Sequence, residues 1–174
     1  MTVNINEKYN SFIPPNLASF DEIVKEYRKR GRDLSDRTIR YYITVKVLPK
    51  PMYIKKRAYF DGDFIFNELE AIYTLRTLFG KGIAEIARYA HNPFGTLNDI
   101  VCELSDILEN KVFIALSKYK DRPLGFRYVN SKLLQFVAQK YFEKINHGWW
   151  PSKMNNDKFI GEVFEEYREK YGAE

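Results

Sequence analysis

A chain of 174 residues with 45% hydrophobic content holds enough apolar side chains for one good core, or for a small domain with an attached helical module. No run approaches the roughly 20 continuous apolar residues that cross a bilayer, and the start Met1 to Lys8 lacks the apolar centre of a signal peptide, so a cytoplasmic protein without a membrane partner is expected. The single cysteine, Cys102, excludes an internal disulfide framework, and a net charge of +5 directs attention to where the cations lie.

In chain order, residues 1–18 read as a polar arm broken by Pro14-Pro15, either disordered or packed extended against the domain. Phe20 to Arg30 has the pattern of a short basic helix, and Gly31-Arg32-Asp33-Leu34 is a tight polar connection. Ser35 is the natural N-cap of a second helix over residues 35–46, its hydroxyl taking an otherwise unpaired backbone N–H. On that helix Arg37, Thr38, Tyr41 and Tyr42 fall on overlapping turns with Arg40 one step round, while Ile39 and Ile43 form an inward pair. Two helices across such a connection read as a helix-turn-helix, with hydroxyl, guanidinium and phenol groups along the second. Pro49 and Pro51 stop the second helix, and Met52 to Phe60 suits a two-stranded wing with basic tips. Asp61-Gly62-Asp63 turns the chain into a helix from about Phe64 to Phe79, with Leu69, Ile72, Leu75 and Leu78 as its apolar residues, and a short helix then runs to about Tyr89.

These pieces together resemble the MerR family of transcriptional regulators over about residues 20 to 91. The family's Thr-Ile-Arg-Tyr-Tyr stands intact as Thr38 to Tyr42, and Leu48-Pro49 supplies the Leu-Pro ending. The wing closes in Arg-x-Tyr as Arg57 and Tyr59, although Lys55-Lys56 replaces the usual Gly-Tyr before the arginine. The later Gly-x-x-Leu-x-x-Ile is written Gly80-Lys81-Gly82-Ile83-Ala84-Glu85-Ile86. The resemblance implies a DNA-binding domain over residues 19–91 and a helix that pairs with its twin in an antiparallel coiled coil. It also implies action at promoters with an overlong spacer, where the duplex is bent so that RNA polymerase engages both elements under control of an effector.

Charge points the same way without the resemblance. Between Lys25 and Arg57 stand 12 basic residues against 3 acidic ones, a net of +9 that leaves −4 for the rest of the chain. Such asymmetry is the electrostatic footprint of a nucleic-acid face.

Beyond Asn92-Pro93-Phe94-Gly95, Thr96 caps a long helical pattern to about Lys118. Leu97, Val101, Leu104 and Leu108 alternate spacings of four and three, as in a coiled-coil seam, so residues 96–118 are expected to join two copies in a homodimer. The alternative is that Ile100, Leu104, Ile107 and Ile114 pack on the chain's own C-terminal helices, in the module of residues 119–174. Those helices span about Ser131 to His147 and Asn156 to Tyr171, each closed by a glycine, and Trp149 and Trp150 sit at the bend between them, as a corner of the core or as a surface for an effector or partner.

The expected fold is therefore mainly α: a winged helix-turn-helix with a small two-stranded wing, a long helix and a C-terminal helical module. Function is expected in Ser35, Arg37, Thr38, Arg40, Tyr41, Tyr42, Lys55, Lys56, Arg57 and Tyr59, which would contact double-stranded DNA. His91, Cys102 and His147 are too few and too dispersed for a metal or nucleophile set, and neither a phosphate-binding glycine loop nor a nucleophile elbow is present, so neither an enzyme nor a cofactor is expected. Two other readings use the same residues. One is a DNA-architectural or plasmid and phage accessory protein of excisionase or partition type. The other is an interaction module whose basic face docks on an acidic partner.

Overall fold

The computed structural model describes residues 16–91, 95–111, 131–148 and 156–171. It is mainly helical with one small antiparallel sheet, and it divides into two units, Met1–His91 and Asn92–Glu174.

In the first unit, strand β1 (Leu17–Ser19) leads directly into helix α1 (Phe20–Lys29). Ser19 ends one and starts the other: its hydroxyl accepts from the Glu22 N–H at 3.4 Å, and the Glu22 carboxylate accepts from the Ser19 N–H at 2.8 Å. This reciprocal box satisfies two donors that a helix start leaves unpaired. The helix buries Ile23 and Tyr27 and stops at Gly31, whose positive φ of 70° lets Arg32 N–H reach back to the Tyr27 carbonyl at 3.0 Å. After the connection, buried Leu34 precedes α2 (Asp36–Thr44), which Ile39 anchors in the core. Full burial of such a side chain contributes about 1.5–3 kcal/mol.

Strands β2 (Met52–Ile54) and β3 (Arg57–Asp61) form a hairpin with Ile54 opposite Arg57, and Lys55-Lys56 make its turn. The sheet has three strands in the order β1-β3-β2, where two were expected. The reason lies in the last residues of the supposed arm. Leu17, Ala18 and Ser19 are held extended by the helix cap and pair with Asp61, Phe60 and Tyr59, covering the edge of β3 that a bare hairpin would leave open. Helix α3 (Gly62–Thr77) starts where Asp61 accepts from the Phe64 N–H at 3.0 Å. Its first residue must be small, because a Cβ on Gly62 would sit 2.7 Å from the Asn16 carbonyl oxygen. Leu69, Ile72 and Leu75 are buried as expected, but Leu78 lies beyond the helix end and is 75% exposed. Helix α4 (Ile83–Ala90) closes the unit with Ile86 and Tyr89 in the core.

In the second unit, α5 (Leu97–Asp106) starts at a Thr96–Asp99 capping box and passes into a π-helical turn, Ile107–Lys111. Helices α6 (Ser131–Asn146) and α7 (Asn156–Tyr171) occupy the expected spans. The phenol of Tyr141 on α6 donates to the Ile100 carbonyl at 3.3 Å, and Lys140 of α6 bridges Glu143 and Glu166 at 3.3 and 2.5 Å. Among the described residues no helix is long and apolar enough to cross a membrane.

Candidate nucleic-acid interface

The ten residues expected to contact DNA do not share one fate. Ser35 caps α2, its hydroxyl accepting from the Thr38 N–H at 3.1 Å and lying 2.9 Å from the Thr38 hydroxyl, so both hydroxyls cluster at the exposed first turn. Arg37 is exposed. Arg40 is exposed as well, but it is held: its guanidinium donates to Asp36 at 2.8 Å and lies over the Phe20 ring at 4.5 Å. The Asp36 hydrogen bond, and after it the Asp36 charge, hold that guanidinium even more firmly protonated than usual. Tyr41 presents half of its surface to solvent.

Tyr42 and Tyr59 depart from the expectation. Tyr42 is buried and its hydroxyl accepts from Arg76 Nη1 of α3 at 3.2 Å, so it joins α2 to α3 instead of facing outward. Tyr59 is buried on β3. Residue spacing alone placed Tyr42 beside Tyr41, but consecutive helical positions lie about 100° apart, which carries one ring out and the other in. Tyr53, which the sequence reading did not single out, is 70% exposed on the edge strand β2. A tyrosine on a strand predicted only as part of a wing gave no sign of facing solvent.

The basic run divides in two. Arg30 and Arg32 both donate to Glu70 of α3, Arg30 at 3.2 Å, and Arg32 also lies over the Tyr73 ring at 4.0 Å. Burial and, next, the charge of Glu70 push the neighbouring Tyr27 phenol well above the usual range. Lys29 pairs with Glu26 at 3.6 Å and Arg40 with Asp36. The other eight cations, Lys25, Arg28, Arg37, Lys46, Lys50, Lys55, Lys56 and Arg57, are exposed and form no ion pair among the described residues. Lys25, Arg28 and Lys29 line an open groove of about 670 Å³ with Val24, Ser35 and two carboxylates, Asp21 and Asp36. The counting of charges in the sequence found all of these cations. It had no means of separating the four that are internally neutralised.

Leu97 and Leu104 of the expected coiled-coil seam are fully buried, together with Ile100 and Ile107, whereas Val101 and Leu108 are half-buried. Half of the seam is thus already consumed within one chain. Trp149 and Trp150, and Ile114, lie outside the described residues. Among the described residues no group of three or more His, Cys, Asp or Glu side chains is arranged to hold a metal ion.

No family model, no curated protein and no solved structure matches this chain.

Proposed function

We propose that the first unit is a winged helix-turn-helix that binds double-stranded DNA, with α2 in the major groove, α1 against the backbone and the β2–β3 hairpin as the wing. One observation carries this reading: the eight cations without an ion pair among the described residues are distributed over α1, α2, the segment after α2 and the hairpin tip, while Arg30 and Arg32 are drawn to Glu70 of α3. A protein that merely solvated its surface would have no reason to keep like charges unneutralised in one run, since each repels the others. Within this reading Arg37 is free to take a bidentate grip on guanine O6 and N7, and Arg40 must first leave Asp36. Ser35, Thr38 and Tyr41 are placed for phosphates or a thymine methyl, and Lys55, Lys56 and Arg57 for the flanking backbone.

The resemblance to MerR regulators makes the biological role a promoter-binding regulator, with RNA polymerase as partner. The homodimer is part of that proposal, from the same resemblance and from the spacing of Leu97, Val101, Leu104 and Leu108, and it gains nothing from the burial of Leu97 and Leu104. That burial leaves room for a second reading, a DNA-architectural or plasmid and phage accessory protein of excisionase or partition type that uses the same fold. Selection of bound duplexes from a random pool, followed by footprinting across a genome, tests both. One or two promoter sites support the regulator, arrays of sites support the architectural role, and no enrichment over bulk DNA refutes the DNA-binding proposal.

A further inference from the structure

Among the described residues three non-glycines have a positive φ, and all three are lysines: Lys46 at 61°, Lys55 at 48° and Lys56 at 66°. This backbone region crowds Cβ against the following carbonyl, and outside glycine it is visited mainly by asparagine and aspartate. Lys46 closes α2 in the position where glycine is usual. Its N–H reaches the Ile43 carbonyl at 3.1 Å, and the Val47 N–H reaches the Tyr42 carbonyl at 2.8 Å, the paired bonds of a Schellman ending. Lys55 and Lys56 are the two central residues of a hairpin loop with positive φ at both, a turn that favours Asn-Gly. At the corresponding ends of α1 and α3 the chain does use glycine, Gly31 at 70° and Gly80 at 62°. The three lysine side chains are exposed and form no ion pair among the described residues that would offset the strain.

We infer that Lys46, together with Lys55 and Lys56, contacts the phosphate backbone of DNA, and that three ammonium groups are kept at strained positions for that purpose. Lys46 is thereby assigned to the interface, at the C-terminal end of α2. The assignment rests on the DNA-binding reading above. It explains a pattern that folding alone opposes, since glycine or asparagine at each position relaxes the backbone. A rival account exists for Lys46, a cation at the negative end of the α2 dipole. It predicts an effect on stability and none on DNA.

The test uses the full chain and a fluorescent random-sequence duplex, with anisotropy titrations at several salt concentrations and thermal melts in parallel. Lys46→Gly and the double variant Lys55→Asn, Lys56→Gly relieve strain and remove charge; Lys46→Gln and Lys55→Gln, Lys56→Gln remove charge and keep the strain. Each lysine lost is expected to lower the slope of log affinity against log salt by about 0.9, roughly an eightfold loss at 0.1 M salt. The glycine and asparagine variants are expected to melt several degrees above their glutamine counterparts. Variants that keep wild-type affinity and slope overturn the assignment, as do glycine variants that melt no higher than the glutamine ones. A wild-type protein that binds no duplex at low salt overturns the underlying reading itself, a result distinct from either of those.

Discussion

Arg28 and Arg32 stand four residues apart in the same basic run, yet the structure gives them opposite surroundings, and alanine at each position tests that division. The Arg32 guanidinium bonds Glu70 and lies 4.0 Å over Tyr73, with its side chain and that of Glu70 less than a third exposed. A partly screened ion pair contributes up to about 1 kcal/mol and a cation–π contact at such a site about 0.5–1 kcal/mol. Arg32→Ala is therefore expected to destabilise the first unit by roughly 1–2 kcal/mol, with each kcal/mol lowering the melting temperature by roughly 4–8 °C in a unit of this size. Arg30 remains on Glu70, so no charge is stranded. Arg28 is exposed and has no ion pair among the described residues, so Arg28→Ala is expected to change stability by no more than about 0.5 kcal/mol. Its loss removes about 0.9 from the salt slope of DNA binding if it meets a phosphate, whereas Arg32→Ala leaves that slope alone. Circular dichroism melts and anisotropy titrations across a range of salt give both quantities. An Arg32→Ala protein with unchanged melting and a reduced slope refutes the partition of the cations.

Tyr42→Phe removes the hydroxyl that accepts from Arg76 and is expected to cost about 0.5–1.5 kcal/mol without altering DNA affinity; a loss of affinity at unchanged stability would return Tyr42 to the interface. Leu104→Ala, at a fully buried position, is expected to destabilise the second unit by about 2–5 kcal/mol while light scattering gives the same mass as wild type. If instead the wild type is a dimer and the variant a folded monomer, Leu104 belongs to a subunit seam. The Glu22 carboxylate is held below its ordinary range by the Ser19 backbone N–H first and the Ser19 hydroxyl second, so its contribution is present above about pH 4.3 and disappears as the pH falls through the lower, folded value. The start of α1 is expected to fray in that acid window, and in Ser19→Ala, which keeps only the backbone donor, to fray at higher pH. Amide exchange of α1 that follows the same pH course in both proteins disproves the coupling.

Much of the first unit was legible because local rules and tertiary packing agree there. Ser35 caps α2, Gly31 ends α1, Pro49 and Pro51 follow α2, and Ile39 is buried, each as elementary capping and periodicity dictate. An arm packed extended against the domain was one of two readings for residues 1–18, but the pairing of strand β1 was not legible, because three residues carry no periodicity and their partners lie some forty positions away on β3. Nor were the inward turn of Tyr42 and the neutralisation of Arg30 and Arg32, since both depend on side chains of α3 that the helix spacing of α2 cannot report. The lysines at positive φ escaped notice for a related reason: sequence rules seek glycine or asparagine at such points, and a lysine there looks like ordinary surface.

The helix after Thr96 shows where periodicity stops deciding. Leu97, Val101, Leu104 and Leu108 form one stripe with spacings of four and three, and Leu97, Ile100, Leu104 and Ile107 form another with spacings of three and four. The two share Leu97 and Leu104 and differ by a rotation of about 100° at the other two positions. Because residues 100, 101, 107 and 108 are all apolar, the sequence offers a broad face and no seam within it. Burial selects the second stripe, and the Tyr141 hydrogen bond to the Ile100 carbonyl fixes that side toward α6. The turn from Ile107 to Lys111 then departs from α-helical winding, so a heptad counted from Leu97 cannot continue in register through Leu108. Of the four seam residues, the two that keep surface outside this packing are the half-buried Val101 and Leu108. The DNA-binding proposal therefore rests on the first unit alone.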